Sequence, residues 1–313
     1  MKKVTVEAPA SSANLGPGFD AFALALDRPR DRVALSSEPA RRLSVEVENA
    51  GELRTPTSAA RNAAGAVCLA MARDFRITGT RIGLEIAKGV PIGVGMGSSG
   101  ASAAAAAFAM NEHFGLRLGG DDMIFYAGVG ERTTSGAAHY DNVAASVLGG
   151  FVVVSVSERP CAISYGPPPG LALVLVTPVL DLPERKTEYT RSVLPRTVEL
   201  KMMVSNVASA SMVVSGFARG DIAMIGRGMM GDVVVEEARK RLIPGYESVR
   251  RHAVDAGAAG VCISGAGPSM LALLDGSRQD PRAVMDNMVA GFGEEGVESD
   301  GFVTEVGAGA SRV

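Results

Sequence analysis

The run Pro91, Ile92, Gly93, Val94, Gly95, Met96, Gly97, Ser98, Ser99, Gly100, Ala101 and Ser102 carries the strongest chemical signal in the sequence. Glycines at alternate positions let backbone N–H groups turn inward with no Cβ in the way. The alanine-rich stretch that follows predicts a helix whose N-terminal amides and dipole add positive potential. Such a loop is built to hold phosphate, although by itself the segment also reads as a flexible connector with a serine N-cap. Gly95, Gly97 and Gly100 match the dinucleotide fingerprint, with Asp121 about twenty residues further on. That match fails on context: Lys88, Gly89 and Pro91 interrupt the preceding strand, and Asp121 opens a helix instead of ending a strand. No Gly-Lys-Ser/Thr follows to make a Walker A loop, and the sequence lacks the His-Arg-Asp and Asp-Phe-Gly elements of protein kinases.

Two further glycine-rich segments each follow a strand-like stretch: Pro9-Ala10-Ser11-Ser12-Ala13-Asn14-Leu15-Gly16-Pro17-Gly18-Phe19-Asp20 and Ser264-Gly265-Ala266-Gly267-Pro268-Ser269. Both can project from a sheet end toward a shared cleft. The three segments, in this order and spacing, resemble the GHMP family of small-molecule kinases. The first segment is similar to the homoserine-kinase branch, and unlike the Pro-Gly-(Arg/Lys)-Val opening of galactokinases and mevalonate kinases. The resemblance continues through His139-Tyr140-Asp141-Asn142-Val143-Ala144, Gly149-Gly150-Phe151, Thr187 with Arg191, Leu194-Pro195, Glu236 with Arg239, Leu242-Ile243-Pro244-Gly245 and Thr304-Glu305-Val306, and so covers essentially the whole chain. It departs at Gly100, where alanine is usual, at Tyr140 and Ala145, where prolines are common, and at Ala23, where glycine is frequent. None of these removes a chemical group.

The resemblance implies a kinase that phosphorylates L-homoserine from ATP with Mg²⁺. In it residues 91–102 wrap the triphosphate, Asn62 contacts adenine, and Ser99, more than Ser98, joins Glu131 in holding Mg²⁺. A hard cation bridging phosphate oxygens needs only one or two protein oxygens, which suits that pair. The acceptor is met by Asn14, Asp20, His139, Thr187, Arg191, Arg239, Gly265 and Gly267. Asp20 suits an ammonium, and the two arginine forks suit a carboxylate. Asn142 is expected to orient the reacting hydroxyl, with its neighbour Asp141 as the alternative. Two rival readings are a GHMP kinase of another small alcohol, such as a shikimate or isoprenoid-precursor kinase, and a catalytically silent regulatory protein of the same fold.

To bring these residues together the chain needs an α+β scaffold. Strand patterns at 4–7, 32–36 and 43–47 precede a helix opened by Thr55 and Pro56 and running to about residue 75. Then come a strand at 81–87, the glycine loop, a helix ending near Gly115, a helix from Asp121 and Asp122 that carries Glu131, and a strand at 150–156. The Pro-rich stretch 157–170 marks a lobe boundary, giving an N-terminal lobe at 1–157 and a C-terminal lobe at 168–313. The second lobe reads as a strand at 171–177, helices between 186 and 230, a helix at 245–256, strands at 260–263 and 270–274, a helix, and a strand at 302–306. Its later part suits a ferredoxin-like layer. The resemblance implies the same two-lobed architecture, with a first lobe like domain 2 of ribosomal protein S5.

Length and composition agree. The 313 residues are roughly twice a typical domain. With 47% hydrophobic and 21% charged residues, the chain is globular. A net charge of −3 offers no footprint for nucleic acid. Cys68, Cys161 and Cys262 are odd in number and lie in apolar stretches, which reads as reduced thiols and a cytoplasmic setting. The opening residues lack the apolar core of a signal peptide, and no run of about twenty apolar residues predicts a membrane span. A homodimer is common in the family, but no stripe in the sequence derives one.

Overall fold

Alternation of branched and small residues makes β1 (Lys3–Ala13), which pairs antiparallel with the long β2 (Phe22–Pro39). In the computed structural model, which describes residues 3–181 and 186–313, this pair is the spine of the N-terminal lobe. The sequence shows strand character in β2 only at 32–36, because Pro29 and five charged residues crowd 27–32. The backbone nevertheless pairs with β1 on both sides of that interruption. β3 (Ser44–Asn49) runs parallel to β4 (Thr80–Ala87), with α1 (Ala63–Asp74) as the crossover. The α1 start lies later than Thr55 and Pro56 predict, since Asn62 is the N-cap and its side chain accepts from Gly65 N.

On the inner face of this sheet lie α1, α2 (Ser98–Phe114), α3 (Gly120–Ser135) and α4 (Tyr140–Leu148). Residues 103–107 of α2 are all alanine and fully buried, so the helix runs between the sheet and its three neighbours with backbones close on every side. Asp121 and Asp122 fall in the first turn of α3, where they favour the helix dipole, while Gly119 takes the N-cap position. α4 was not legible as a helix in the sequence.

The expected lobe boundary moves. β5 (Phe151–Val156) and β6 (Pro160–Tyr165) form a hairpin on β2, so residues 157–165 belong to the N-terminal sheet and the crossing falls in 166–170. The other end moves too. β11 (Ser311–Arg312) pairs with β1, and bridges join Val306 to Leu26 and Ala308 to Gly149, so the C-terminal tail returns to the first lobe.

The second lobe contains β7 (Leu171–Pro178), α5 (Lys186–Ser192), α6 (Leu200–Arg219), α7 (Ile222–Met229), α8 (Val235–Arg239), α9 (Tyr246–Asp255), β8 (Gly260–Ile263), β9 (Met270–Asp275), α10 (Pro281–Gly293) and β10 (Ser299–Thr304). Its antiparallel order, β10-β7-β9-β8, is the ferredoxin-like order. β7 shows why the sheet is buried on both faces. Leu171, Leu173 and Leu175 enter the core between the lobes, while Ala172, Val174 and Val176 face α9 and α10. Each fully buried Leu or Val is worth about 1.5–3 kcal/mol. The interlobe core also takes Val90, Met96 and Ala101 from around the glycine loop, and Phe151 stacks on Phe217 across it at 4.1 Å. α6 is long and apolar enough to cross a membrane by length and composition, but Val213, Gly216 and Phe217 bury one side of it in this protein.

Candidate active site

The glycine loop is tethered at its base and open along its crest. Gly93, Gly95 and Gly97 have φ of 81°, 90° and 64°, a region that an L side chain resists. A Cβ on Gly95 would lie 2.3 Å from the Ser264 carbonyl oxygen, and one on Gly97 would lie 2.1 Å from Ser11 Oγ. No side chain caps α2, whose N-cap is Gly97, so its first-turn amides are left for a ligand. Gly100 has room for the methyl group usual at that position, its nearest neighbour being Val143 Cγ1 at 3.4 Å.

The three glycine-rich segments are laced together. Ser11 N donates to Met96 O at 3.1 Å, Ser264 Oγ to Gly95 O at 2.8 Å, and Ser269 Oγ to Val94 O at 2.7 Å. Gly265 N donates to Ala13 O at 3.1 Å, and Asn14 Nδ2 to Gly265 O at 2.8 Å. Asn14 Oδ1 accepts from Asp20 N, so this side chain braces two loops. The first segment holds strain for the purpose: Asn14, Leu15 and Asp20 have φ of 74°, 45° and 57°.

A buried ion pair stands behind the glycine loop. Lys88 Nζ donates to Asp31 and, at 2.6 Å, to Ser98 O, while Asp31 accepts from the N–H groups of Gly89 and Val90 and from Ser102 Oγ. Burial pulls the Lys88 ammonium down against the opposing pull of the Asp31 carboxylate and, more weakly, of Glu131. That influence puts Glu131 within electrostatic reach of the α2 start.

Glu131 lies on α3, buried, with Oε1 3.0 Å from His139 Nδ1. Burial opposes charge on His139, but the Glu131 hydrogen bond and charge, with Asp141, outweigh it and raise its pKa. His139, expected at the acceptor, turns its Nδ1 to the Glu131 carboxylate. Next to it Asp141 is 2% exposed, and burial, reinforced by Asp20, pushes its carboxyl up to about 6. Asn142 Oδ1 accepts from Ser11 Oγ at 2.9 Å and lies 2.8 Å from the position of a Gly97 Cβ, which sets this amide at the junction of the glycine loop and the first segment.

The end of the site expected to meet the acceptor is made of side-chain charge. Arg191 makes a salt bridge to both carboxylate oxygens of Asp20, at 2.7 and 2.8 Å. Arg239 is 4% exposed and donates to Gly265 O at 3.1 Å and Thr190 O at 3.2 Å, and burial with the Arg191 charge lowers it to about 10. Both guanidinium groups lie about 5 Å from the Phe19 ring, Arg191 at 5.2 Å and Arg239 at 5.3 Å, within cation–π range. Thr187 lies one turn from Arg191 on α5.

Several expected contacts have other duties. Asn62 spends its carboxamide on Gly65 N, Thr55 Oγ1 and Pro56 O, with 2% exposure, because it caps α1. Met96 and Ala101 are core residues, and Ser102 belongs to the Asp31–Lys88 cluster. The carbonyls of Gly265 and Gly267 are taken by Asn14, Arg239 and Lys186. Phe19, Lys88, Asp31 and Lys186 were not assigned from sequence. Phe19 stands inside the first motif, which was its available signal.

Comparison with known proteins follows the same pattern. Residues 61–150 match the GHMP kinases N terminal domain, and residues 213–291 match the GHMP kinases C terminal region. A homoserine kinase of Haloarcula marismortui is 40% identical, covering 98% of this chain and 99% of that one; one of Natronomonas pharaonis is 41% identical over the same shares. The crystal structure of a homoserine kinase from Cytophaga hutchinsonii superposes with a TM-score of 0.90 at 32% identity, over 100% of this chain and 98% of that one. A mevalonate kinase of L. major shares the fold, with a TM-score of 0.68 at 16% identity over 98% and 97% of the two chains.

Proposed function

The chain belongs to the GHMP kinase family, among its homoserine kinases, and from that premise we propose that it transfers the γ-phosphoryl group of ATP to the hydroxyl of L-homoserine, giving O-phospho-L-homoserine, a step toward threonine. The observation that carries this reading is the lacing of the glycine loop to two remote segments, with Asp20, Arg191 and Arg239 at one end.

The triphosphate lies on the amides of residues 93–100, where the left-handed glycine conformations and the α2 dipole stabilise anionic oxygens. Ser99 and Glu131 would hold Mg²⁺. Their two oxygen donors suit a cation that takes its remaining ligands from phosphate and water, and among the described residues no three His, Cys, Asp or Glu side chains form a metal cage. When bound, Mg²⁺ neutralises charge on the β and γ oxygens.

A zwitterionic acceptor exchanges charges with the protein. Its ammonium takes the Asp20 carboxylate and its carboxylate takes Arg191 and Arg239, so the resident Asp20–Arg191 pair is replaced without leaving a charge alone. The hydroxyl is oriented by Asn142, a neutral amide that positions it without removing its proton. A loose transition state tolerates this, because bonding to the nucleophile is slight.

The homodimer is carried forward as a proposal. α6 exposes Leu200, Met203, Val204 and Val207 at helical spacing, with no charged residue from 202 to 218, a self-complementary face for a second copy. Val204→Glu is expected to give a monomer by light scattering; an unchanged mass overturns that choice of face.

The reaction is tested by ADP release and phosphorus NMR of the product with homoserine, serine, shikimate and mevalonate. Homoserine is expected to be preferred to serine by far more than the roughly 10–200-fold that one methylene gives in an apolar slot, because the shorter chain misplaces the nucleophile. Equal efficiency with serine, or no turnover of homoserine, sinks the assignment.

A further inference from the structure

Lys186 opens α5 and is 9% exposed, and the mechanism above leaves it unused. Its ammonium donates to the Gly267 carbonyl. That same carbonyl oxygen lies 2.8 Å from where Gly95 would carry a Cβ, so Lys186 sits against the glycine loop, within electrostatic reach of Arg239. Among the described residues no carboxylate forms an ion pair with it.

The charge that acts on Lys186 is another cation, the Arg239 guanidinium, while the carboxylates of Asp20 and Asp141 act on Arg239. Asp232, also within reach of Arg239, turns both oxygens to the amides of residues 234–236 at the start of α8. Glu131 and His139 pair with each other. A zwitterionic acceptor brings charges that cancel, so it does not supply the missing anion. Burying an ammonium on one carbonyl beside a guanidinium is costly unless an anion arrives.

We propose that Lys186 is a catalytic residue whose ammonium binds the non-bridging oxygens of the phosphoryl group as it passes from nucleotide to acceptor. This deepens the kinase reading and rests on it. The acceptor oxygen forms a bond to the γ-phosphorus, the bond from that phosphorus to the β,γ-bridging oxygen breaks, and ADP leaves with the electron pair. The hydroxyl proton departs to a phosphoryl oxygen. Lys186 stays protonated throughout and donates hydrogen bonds only.

Burial, with the Arg239 charge, lowers the Lys186 ammonium to about 8. The charged form is therefore lost from the free enzyme as pH rises through that value, and kcat/KM for ATP should fall with it. Lys186→Arg is expected to keep activity within about tenfold and to lose that alkaline fall, since a guanidinium stays charged.

The decisive experiment compares wild type, Lys186→Met, Lys186→Gln and Lys186→Arg by calorimetry with ADP and with the non-hydrolysable ATP analogue AMP-PNP, alongside kcat. Lys186→Met and Lys186→Gln are expected to lose about tenfold or more in the affinity ratio of AMP-PNP to ADP and about a hundredfold in kcat, in line with loss of a charge-assisted hydrogen bond. The glutamine retains a donor for the Gly267 carbonyl, so it separates charge from loop support. An unchanged AMP-PNP to ADP ratio with kcat within twofold of wild type in Lys186→Gln overturns the proposal. The ratio involves no acceptor, so it stands or falls independently of whether homoserine is the alcohol.

Discussion

On the proposed assignment of nucleotide and acceptor, the two ends of the cleft hold charge in opposite ways. At the nucleotide end the donors are backbone amides of one continuous segment, fixed by glycine conformations and by carbonyls that neighbouring serines hold in place. At the acceptor end the groups come from four distant segments, and they are engaged with one another: Asp20 with Arg191, Arg239 with Gly265, both arginines with Phe19. A backbone cradle binds any phosphate and tolerates no added atom at Gly95 or Gly97. A side-chain cluster reads one molecule's charges and degrades gradually.

The sharpest way to break this contrast is Gly95→Ala. The methyl group meets the Ser264 carbonyl at 2.3 Å on a backbone with φ of 90°. Strain of about 1–3 kcal/mol, with overpacking of about 1–3 kcal/mol, predicts a rise in the ATP KM of a hundredfold or more and a lower melting temperature. Wild-type ATP kinetics would show that the loop is no cradle. Next in size is Arg239→Ala. A charge-assisted hydrogen bond of about 1.5–3 kcal/mol gives roughly ten- to a hundredfold in the homoserine KM with kcat little changed, because the carboxylate is held alike in ground and transition states. A raised ATP KM instead would put Arg239 at the wrong end.

Arg191→Ala should cost less, about three- to tenfold in the same KM, since its side chain is 35% exposed and already shared with a solvated Asp20. Equal losses in the two arginine variants would erase the distinction between buried and exposed forks. The smallest effect is expected for Asp141→Asn, a fewfold loss of kcat with the shape of its pH profile unchanged, because in the proposed mechanism Asn142 positions the hydroxyl. A separate readout is stability. The Asp141 carboxyl is raised from 3.8 to about 6, so between those values the native state binds the extra proton and wild-type stability falls as pH rises. The variant should lack that slope in melting temperature. Abolished turnover with both substrates still bound, and loss of the acidic limb, would make Asp141 the base.

What the sequence disclosed follows the same division. The glycine loop was legible because its chemistry is local: alternate glycines, then a helix former. So was the ferredoxin-like layer, whose strands at 260–263 and 270–274 are continuous apolar runs buried on both faces. α4 was hidden by a segment rich in small and polar residues, and β6 by Pro160 at its start and the prolines after it. The Asp31–Lys88 pair spans 57 residues and the Asp20–Arg191 pair 171, separations at which no periodicity speaks. Asn62 shows the converse: a residue type suited to ligand contact, already occupied as a helix cap.

The returning tail has a consequence for how the protein comes into being. Residues 306–312 bridge Leu26, Gly149 and β1, and Gly307 and Gly309 pass so close to the Leu26 and Val147 carbonyls that a Cβ would lie 2.6 and 2.3 Å from them. A ribosome delivers the first lobe's strands and helices long before residues 306–312 emerge, so the nascent lobe carries an unpaired β1 edge and a share of the interlobe core still open to water. Native contacts of such sequence separation form late and slowly. The phosphate loop, anchored in that core through Val90 and Met96, packs fully only once the second lobe's strands are in place beside it.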